Sequence, residues 1–203
     1  MGVISNGTTL LDAGALDSGV ATGSMTLIST QTASNSATIS FTSGIDSTYK
    51  EYQIHYIDVH AATNDTDLTI NFRDGSTAYD ATKTTTYFSA THNEDGSGGG
   101  LSYETAVDLA QSTGVQKLSK SGIGNDNDHS ACGVVQLFNP SSTTFVKHFL
   151  FRGISPYPSS DSDGMKDQLV AGYANTTSAV NAIQFKMLSG NTDAGTIKMY
   201  GVS

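Results

Sequence analysis

The chain contains no tryptophan and a single cysteine, Cys132. One thiol excludes an internal disulfide framework. Cys132 sits in an apolar run, so it is expected to be a small buried hydrophobe. The missing indole removes the strongest stacking residue a sugar-binding β protein could use, and leaves Tyr49, Tyr79, Tyr157 and Tyr173 as platform candidates. Charge is scarce as well. Asp, Glu, Lys and Arg make up 14% of the chain, about half the share usual in soluble domains. Ten basic residues face nineteen acidic ones, a net charge of −9. A nucleic-acid groove needs clustered Lys and Arg, so nucleic acid is not an expected partner. No basic region with an apolar stretch of signal length opens the chain, and no apolar run approaches a membrane span. The protein is expected to be soluble where it is made, with no membrane partner.

In place of charge stand Gly, Ser, Thr, Asn and Asp. These residues favour turns, threonine also favours strands, and the good helix formers are depleted. With 203 residues the chain can hide roughly 70% of its unfolded surface, so it can hold a core without disulfides or a structural metal. The small, polar residues 1–24 read as an N-terminal extended arm of the kind that ties a subunit to its neighbour. From 25 to 203 a period-two pattern recurs. Ala37, Ile39 and Phe41 alternate with polar neighbours. Over 49–59, Tyr52, Ile54 and Tyr56 share one face, while His55, Ile57 and Val59 share the other. Leu68, Ile70 and Phe72 alternate with Thr69, Asn71 and Arg73, the cleanest strand of all. The run 84–90 follows. The run 131–138 is apolar on both faces, as expected for a central strand covered on both sides, and Phe145, Phe149 and Phe151 alternate with Val146, His148 and Leu150. Runs at 168–173, 180–187 and 195–202 complete nine or ten strands. Only 103–111 could be a short helix. The expected fold is all-β, an antiparallel two-sheet sandwich of jelly-roll-like type, in one domain. The run 93–100 (NEDGSGGG) is expected to be an exposed loop.

No motif for catalysis stands out. There is no Gly-x-Ser-x-Gly elbow. Glu51, Glu94 and Glu104 are the carboxylates available to a glycosidase, and solvation is the simpler reading of each. His55 and His60 lie five apart and would face opposite ways on a regular strand, so they could share a metal only if the strand bulged between them. Asp161, Asp163 and Asp167 around Gly164 have part of a calcium-loop spacing, but Val170 stands where the closing glutamate should be, so turns are the simpler reading and no cofactor is expected. Asn93, Asp95, Asp126, Asp128 and Tyr157 mark the loops best placed for interaction.

Several stretches together resemble a family of virion structural proteins of marine tailed bacteriophages. They are SGIDSTYKEY (43–52), DLTINF (67–72), TKTTTYFSATH (82–92), GIGNDNDH (122–129), FNPSSTTFVKH (138–148), FKMLSGN (185–191) and GTIKMYG (195–201). The resemblance implies a particle component and carries no catalytic motif. The expectation is a non-enzymatic capsid decoration (cement) protein on the virion surface, assembled as a homotrimer on the major capsid protein. The alternative is a tail-fibre or receptor-binding protein recognising host-surface glycan.

Overall fold

The computed structural model describes residues 3–5, 7–12, 15–16, 24–159 and 163–203. Its strands are β1 (Val3–Ser5), β2 (Thr8–Asp12), β3 (Ala15–Leu16), β4 (Met25–Thr32), β5 (Ile39–Phe41), β6 (Glu51–Ala61), β7 (Leu68–Arg73), β8 (Lys83–Asn93), β9 (Gly99–Tyr103), β10 (Gln116–Lys117), β11 (Ser130–Phe138), β12 (Lys147–Tyr157), β13 (Gly164–Ala174), β14 (Ala182–Met187) and β15 (Thr192–Val202). No helix occurs among the described residues, and 103–111 is the end of β9 followed by turns.

Two antiparallel sheets form the sandwich. One has eight strands in the order β4-β15-β6-β11-β12-β13-β8-β9, the other four in the order β10-β7-β14-β5. The strands divide eight to four. Among residues 3–16, β1, β2 and β3 make a separate three-stranded sheet.

The core lies between the sheets, where Tyr52, Ile54, Val135, Leu137 and Phe149 from the large sheet meet Ile70, Phe72, Ile183 and Phe185 from the small one. Phe72 and Phe149 touch edge to face at 5.0 Å across the gap. The four-stranded sheet covers only the inner face of the large one, and the structure departs from the sequence expectation in three places. First, 131–138 is covered on one face only: Ala131, Val135 and Leu137 are buried, while Val134 and Gln136 are half-exposed. Cys132 shares that outer face, so it is half-buried rather than a core residue, with its Sγ 3.3 Å from the Asp58 amide that donates to it. Second, Phe145 precedes β12 and is exposed; the inward position is taken by Lys147, fully buried, whose Nζ donates to the carbonyls of Phe145 (2.8 Å) and Thr176 (3.0 Å). Third, β7 is buried on both faces, with Thr69 donating to the Lys186 carbonyl and Asn71 to that of Thr113.

Where the small sheet stops, residues 104–121 cover the inner faces of β8 and β13 through a polar layer. Gln116 accepts from Thr85 (2.7 Å), Glu104 accepts from Ser89 (2.6 Å) and pairs with Lys120, and Gln168 accepts from Tyr87 (2.6 Å) and from the Lys120 amide (2.8 Å). The layer extends to Lys83, whose buried Nζ donates to Asn71 Oδ1 (2.5 Å) and the Ala81 carbonyl (2.6 Å). Burial outweighs the attraction of Asp74 and Asp80 and pushes the Lys83 pKa down to about 8. Between about pH 8 and the unfolded value near 10.5 the unfolded chain holds a proton that the folded chain lacks, so stability rises with pH across that window. Denaturant unfolding is expected to show a gain of about 1–3 kcal/mol from pH 8 to 10, largely absent in Lys83→Met.

Candidate functional site

Strand β6 changes phase within its own length. Asp58 adopts a left-handed conformation (φ 50°), and the ladder to β11 shifts between the pairs Val59–Ala131 and Tyr56–Gly133. The bulge returns Val59 and Ala61 to the core after Tyr52, Ile54 and Tyr56. It therefore also places His55 and His60 on the same outer face. They nevertheless serve different contacts. His60 is held between the Asp193 carboxylate (Nδ1–Oδ1 2.7 Å) and the Asp126 carbonyl (Nε2–O 2.9 Å), whereas His55 packs edge-on against Tyr200 at 5.3 Å. Burial opposes protonation of both rings. At His60 the Asp126 carbonyl and Asp193 carboxylate outweigh it, so its pKa lies above the usual 6.5; at His55 burial prevails and the pKa lies below it. An NMR titration is expected to show His60 deprotonating at higher pH than His55, with the gap narrowed in Asp193→Asn.

The interaction loops expected from the sequence come together at one end of the sandwich. Tyr157 donates to Asn93 at 2.5 Å, the Glu94 amide to the Asp163 carbonyl at 2.9 Å, and His129 lies 3.4 Å from the Asp163 carboxylate. Asp95 accepts from Ser97 within the β8–β9 turn, which occupies only 94–98, because β8 and β9 extend into the expected loop. Asp126 and Asp128 are exposed in the 125–129 turn, where the Asp126 carbonyl accepts from His60 and from the His129 amide. Lys166 lies over the Tyr157 ring at 4.8 Å. Sequence reasoning missed His129 and Lys166 as organisers of this end, since neither has a spacing that betrays its partner.

Asp163 and Asp167, two of the three calcium candidates, are not brought together. Asp167 points to the outer face of β13 and forms a two-pronged pair with Arg152 (2.8 and 3.2 Å), while Asp163 accepts from the Ser159 amide. Four residues of strand, roughly 13 Å, separate them. Asp161 lies outside the described residues, and among the described residues no three His, Cys, Asp or Glu side chains converge on a metal position. The glutamates are dispersed too. Glu51 lies on the outer side of β6 beside Gln53 and Gln136, and Glu104 is tucked under β8 with Ser89 and Lys120. Four strand spacings, roughly 19 Å, part them, against the 5 to 10 Å a glycosidase uses. Burial alone would raise the Glu104 pKa, but Lys120 and Ser89 outweigh it and hold it below the usual value.

The most conspicuous surface is the outer face of the large sheet. Leu150 on β12 lies beside Ala171 on β13 and Thr86 on β8; one row on, Arg152, Leu169, Phe88 and Tyr103 lie side by side; the next row runs Ile154, Asp167, Ala90, Leu101. Phe88 and Tyr103 touch edge to face at 5.1 Å, and Tyr103 is anchored by donating to Asp108 at 2.5 Å. Leu150, Leu169, Ile154, Phe88 and Tyr103 are each 42–49% exposed, and Leu101 is 76% exposed. Two shallow apolar hollows of about 440 and 300 Å³ adjoin there, sharing Thr86, Leu150 and Ala171 in their walls. The only charges in these three rows are the mutually paired Arg152 and Asp167. The sequence carried this signal in the doubly apolar 131–138 run; the face is simply not covered within one chain.

No protein-family model, no curated protein and no solved structure matches the chain.

Proposed function

We propose that this chain is a non-enzymatic structural subunit of a tailed-phage particle, a capsid decoration protein that sits on the virion surface as a homotrimer bound to the major capsid protein. The observation that carries the reading is the uncovered apolar face of the eight-stranded sheet. A face with this many exposed aliphatic and aromatic side chains belongs to a protein that works in an assembly. The resemblance of the stretches between residues 43 and 201 supplies the kind of assembly. Two of the side chains able to do chemistry are engaged in holding the fold: Glu104 tethers 104–121, and both ring nitrogens of His60 are bonded. The mechanism is binding. Edge strands and the N-terminal arm add contacts to neighbours, so that many weak attachments sum. A net charge of −9 suits a solvent-facing shell and disfavours packaged DNA as a partner.

A second reading, a tail-fibre or receptor-binding protein that takes host-surface glycan, draws on the meeting of the Asn93, Tyr157 and His129 loops at one end. Gold labelling of intact particles with an antibody to this chain separates the two. Label spread over the head is the expected result. Label confined to the tail tip overturns the decoration reading and directs attention to glycan.

A further inference from the structure

We propose that the outer face of β12, β13, β8 and β9 is the surface by which copies of this chain join one another, with Leu150 and Leu169 at its centre and Phe88 and Ile154 around them. This rests on the assembly-subunit reading and names the occupant of the face: a second copy of the chain rather than a shell protein.

Area is the first argument. Phe88 and Tyr103 carry roughly 150–250 Å² each and leucine and isoleucine somewhat less, so at the observed exposures the six large apolar side chains offer on the order of 550 Å² of surface. That lies at the upper end of the largest patch of a typical monomer, about 300–600 Å², and is the larger part of the roughly 800 Å² that each partner contributes to a standard stable interface. Charge is the second argument. Two copies at −9 each repel wherever their acidic surfaces meet, and self-association needs a region where like charges do not confront each other. These rows provide it, because Arg152 and Asp167 neutralise each other at 2.8 Å and the remaining positions are uncharged. A strongly basic partner would find nothing here to pair with, and an acidic one nothing to prefer over a second copy. The third argument is geometric. The inner faces of β8 and β13 are already closed by residues 104–121 through Gln116, Glu104 and Gln168, so this outer face is the side of the large sheet left for a neighbour.

The test is the mass of the 203-residue chain in solution, by light scattering after size exclusion at micromolar concentration. The wild type is expected at a multiple of its 21.2 kDa chain mass. Leu150→Lys with Leu169→Lys is expected at 21.2 kDa with an unchanged circular dichroism spectrum, a weakening of association of about 100-fold or more. Should the lysine pair perturb the fold, Phe88→Thr with Leu150→Thr keeps good strand formers and removes the apolar contact, and its mass decides. A monomeric wild type, or an oligomer whose mass ignores these variants, overturns the proposal. Particle incorporation then distinguishes the two failures. A monomeric wild type that enters particles, and ceases to do so in the lysine variant, places a shell protein on the face and leaves the subunit reading standing. A monomeric wild type that never enters particles sinks both.

Discussion

Replacing Gln168 by Leu is expected to destabilise the fold by about 3–5 kcal/mol, a large part of the total for a domain of ordinary stability. Gln168 is 1% exposed on the inner face of β13. Its Oε1 accepts from the Tyr87 hydroxyl at 2.6 Å and the Lys120 amide at 2.8 Å, and its Nε2 donates to Ser155 at 2.8 Å. Leucine fills similar volume and offers none of these bonds. Three polar groups are left in a dry layer, each worth about 1–3 kcal/mol when unsatisfied, and the Tyr87 and Ser155 hydroxyls can rotate toward other partners, which holds the total to the lower part of that sum. Losing the Lys120 anchor also loosens 104–121, which covers β8. Urea unfolding should show a lower midpoint at near-constant slope. Gln184→Leu is the control. That glutamine is half-buried, its Nε2 donating only to Ser40 at 3.1 Å, and its loss should cost about 1 kcal/mol or less. Equal effects at the two positions would mean that the polar layer is not what closes this half of the sandwich.

Gly153→Ala is expected to cost about 3 kcal/mol, at the upper end of what overpacking usually exacts. Gly133 and Gly153 face each other across β11 and β12, and the Tyr56 ring lies over both. A β-carbon at Gly153 would sit 2.0 Å from Tyr56 Oη and 2.6 Å from Phe151 Cζ, and one at Gly133 would sit 2.5 Å from the same hydroxyl. Tyr56 and Phe151 are stacked at 6.1 Å, so neither ring can swing aside without disturbing the other. Neither glycine has a positive φ; the requirement is for space. Tyr56→Phe introduced with Gly153→Ala should recover part of the loss by removing the hydroxyl, while the Phe151 contact remains. At Gly100, on the edge strand β9, an added β-carbon meets nothing within 4 Å, and alanine there should be close to neutral. A mild Gly153→Ala would show that the core between β6 and β12 is looser than its geometry implies.

Much of the architecture was readable from period-two alternation, because a strand with one wet face declares itself. Leu68, Ile70 and Phe72, and Tyr52, Ile54 and Tyr56, all point inward as the pattern required. The pattern misled where a local device or a distant segment intervened. The bulge at Asp58 exchanges the faces of β6 after one residue, and an aspartate in a strand gives no unique notice of it. Lys83 and Lys147 read as outward residues by type, yet each finds carbonyl oxygens inside that alternation cannot foresee. Thr69 and Asn71 are polar and buried because neighbouring strands and 104–121 bring acceptors to them. The interaction loops were legible as turns, but their meeting through Tyr157 and Asn93 depends on strands distant in sequence. In the reverse direction, 131–138 looked covered on both faces, yet Val134 and Gln136 on its outer face are half-exposed.

Quantitative mass spectrometry of purified particles, counting copies of this chain against copies of the major capsid protein, tests the central claim most directly. The chain is expected in numbers comparable to the shell subunit and to stay with the particle through purification. Its absence from the particles would contradict the account, and a handful of copies per particle would replace shell decoration with a place at the tail.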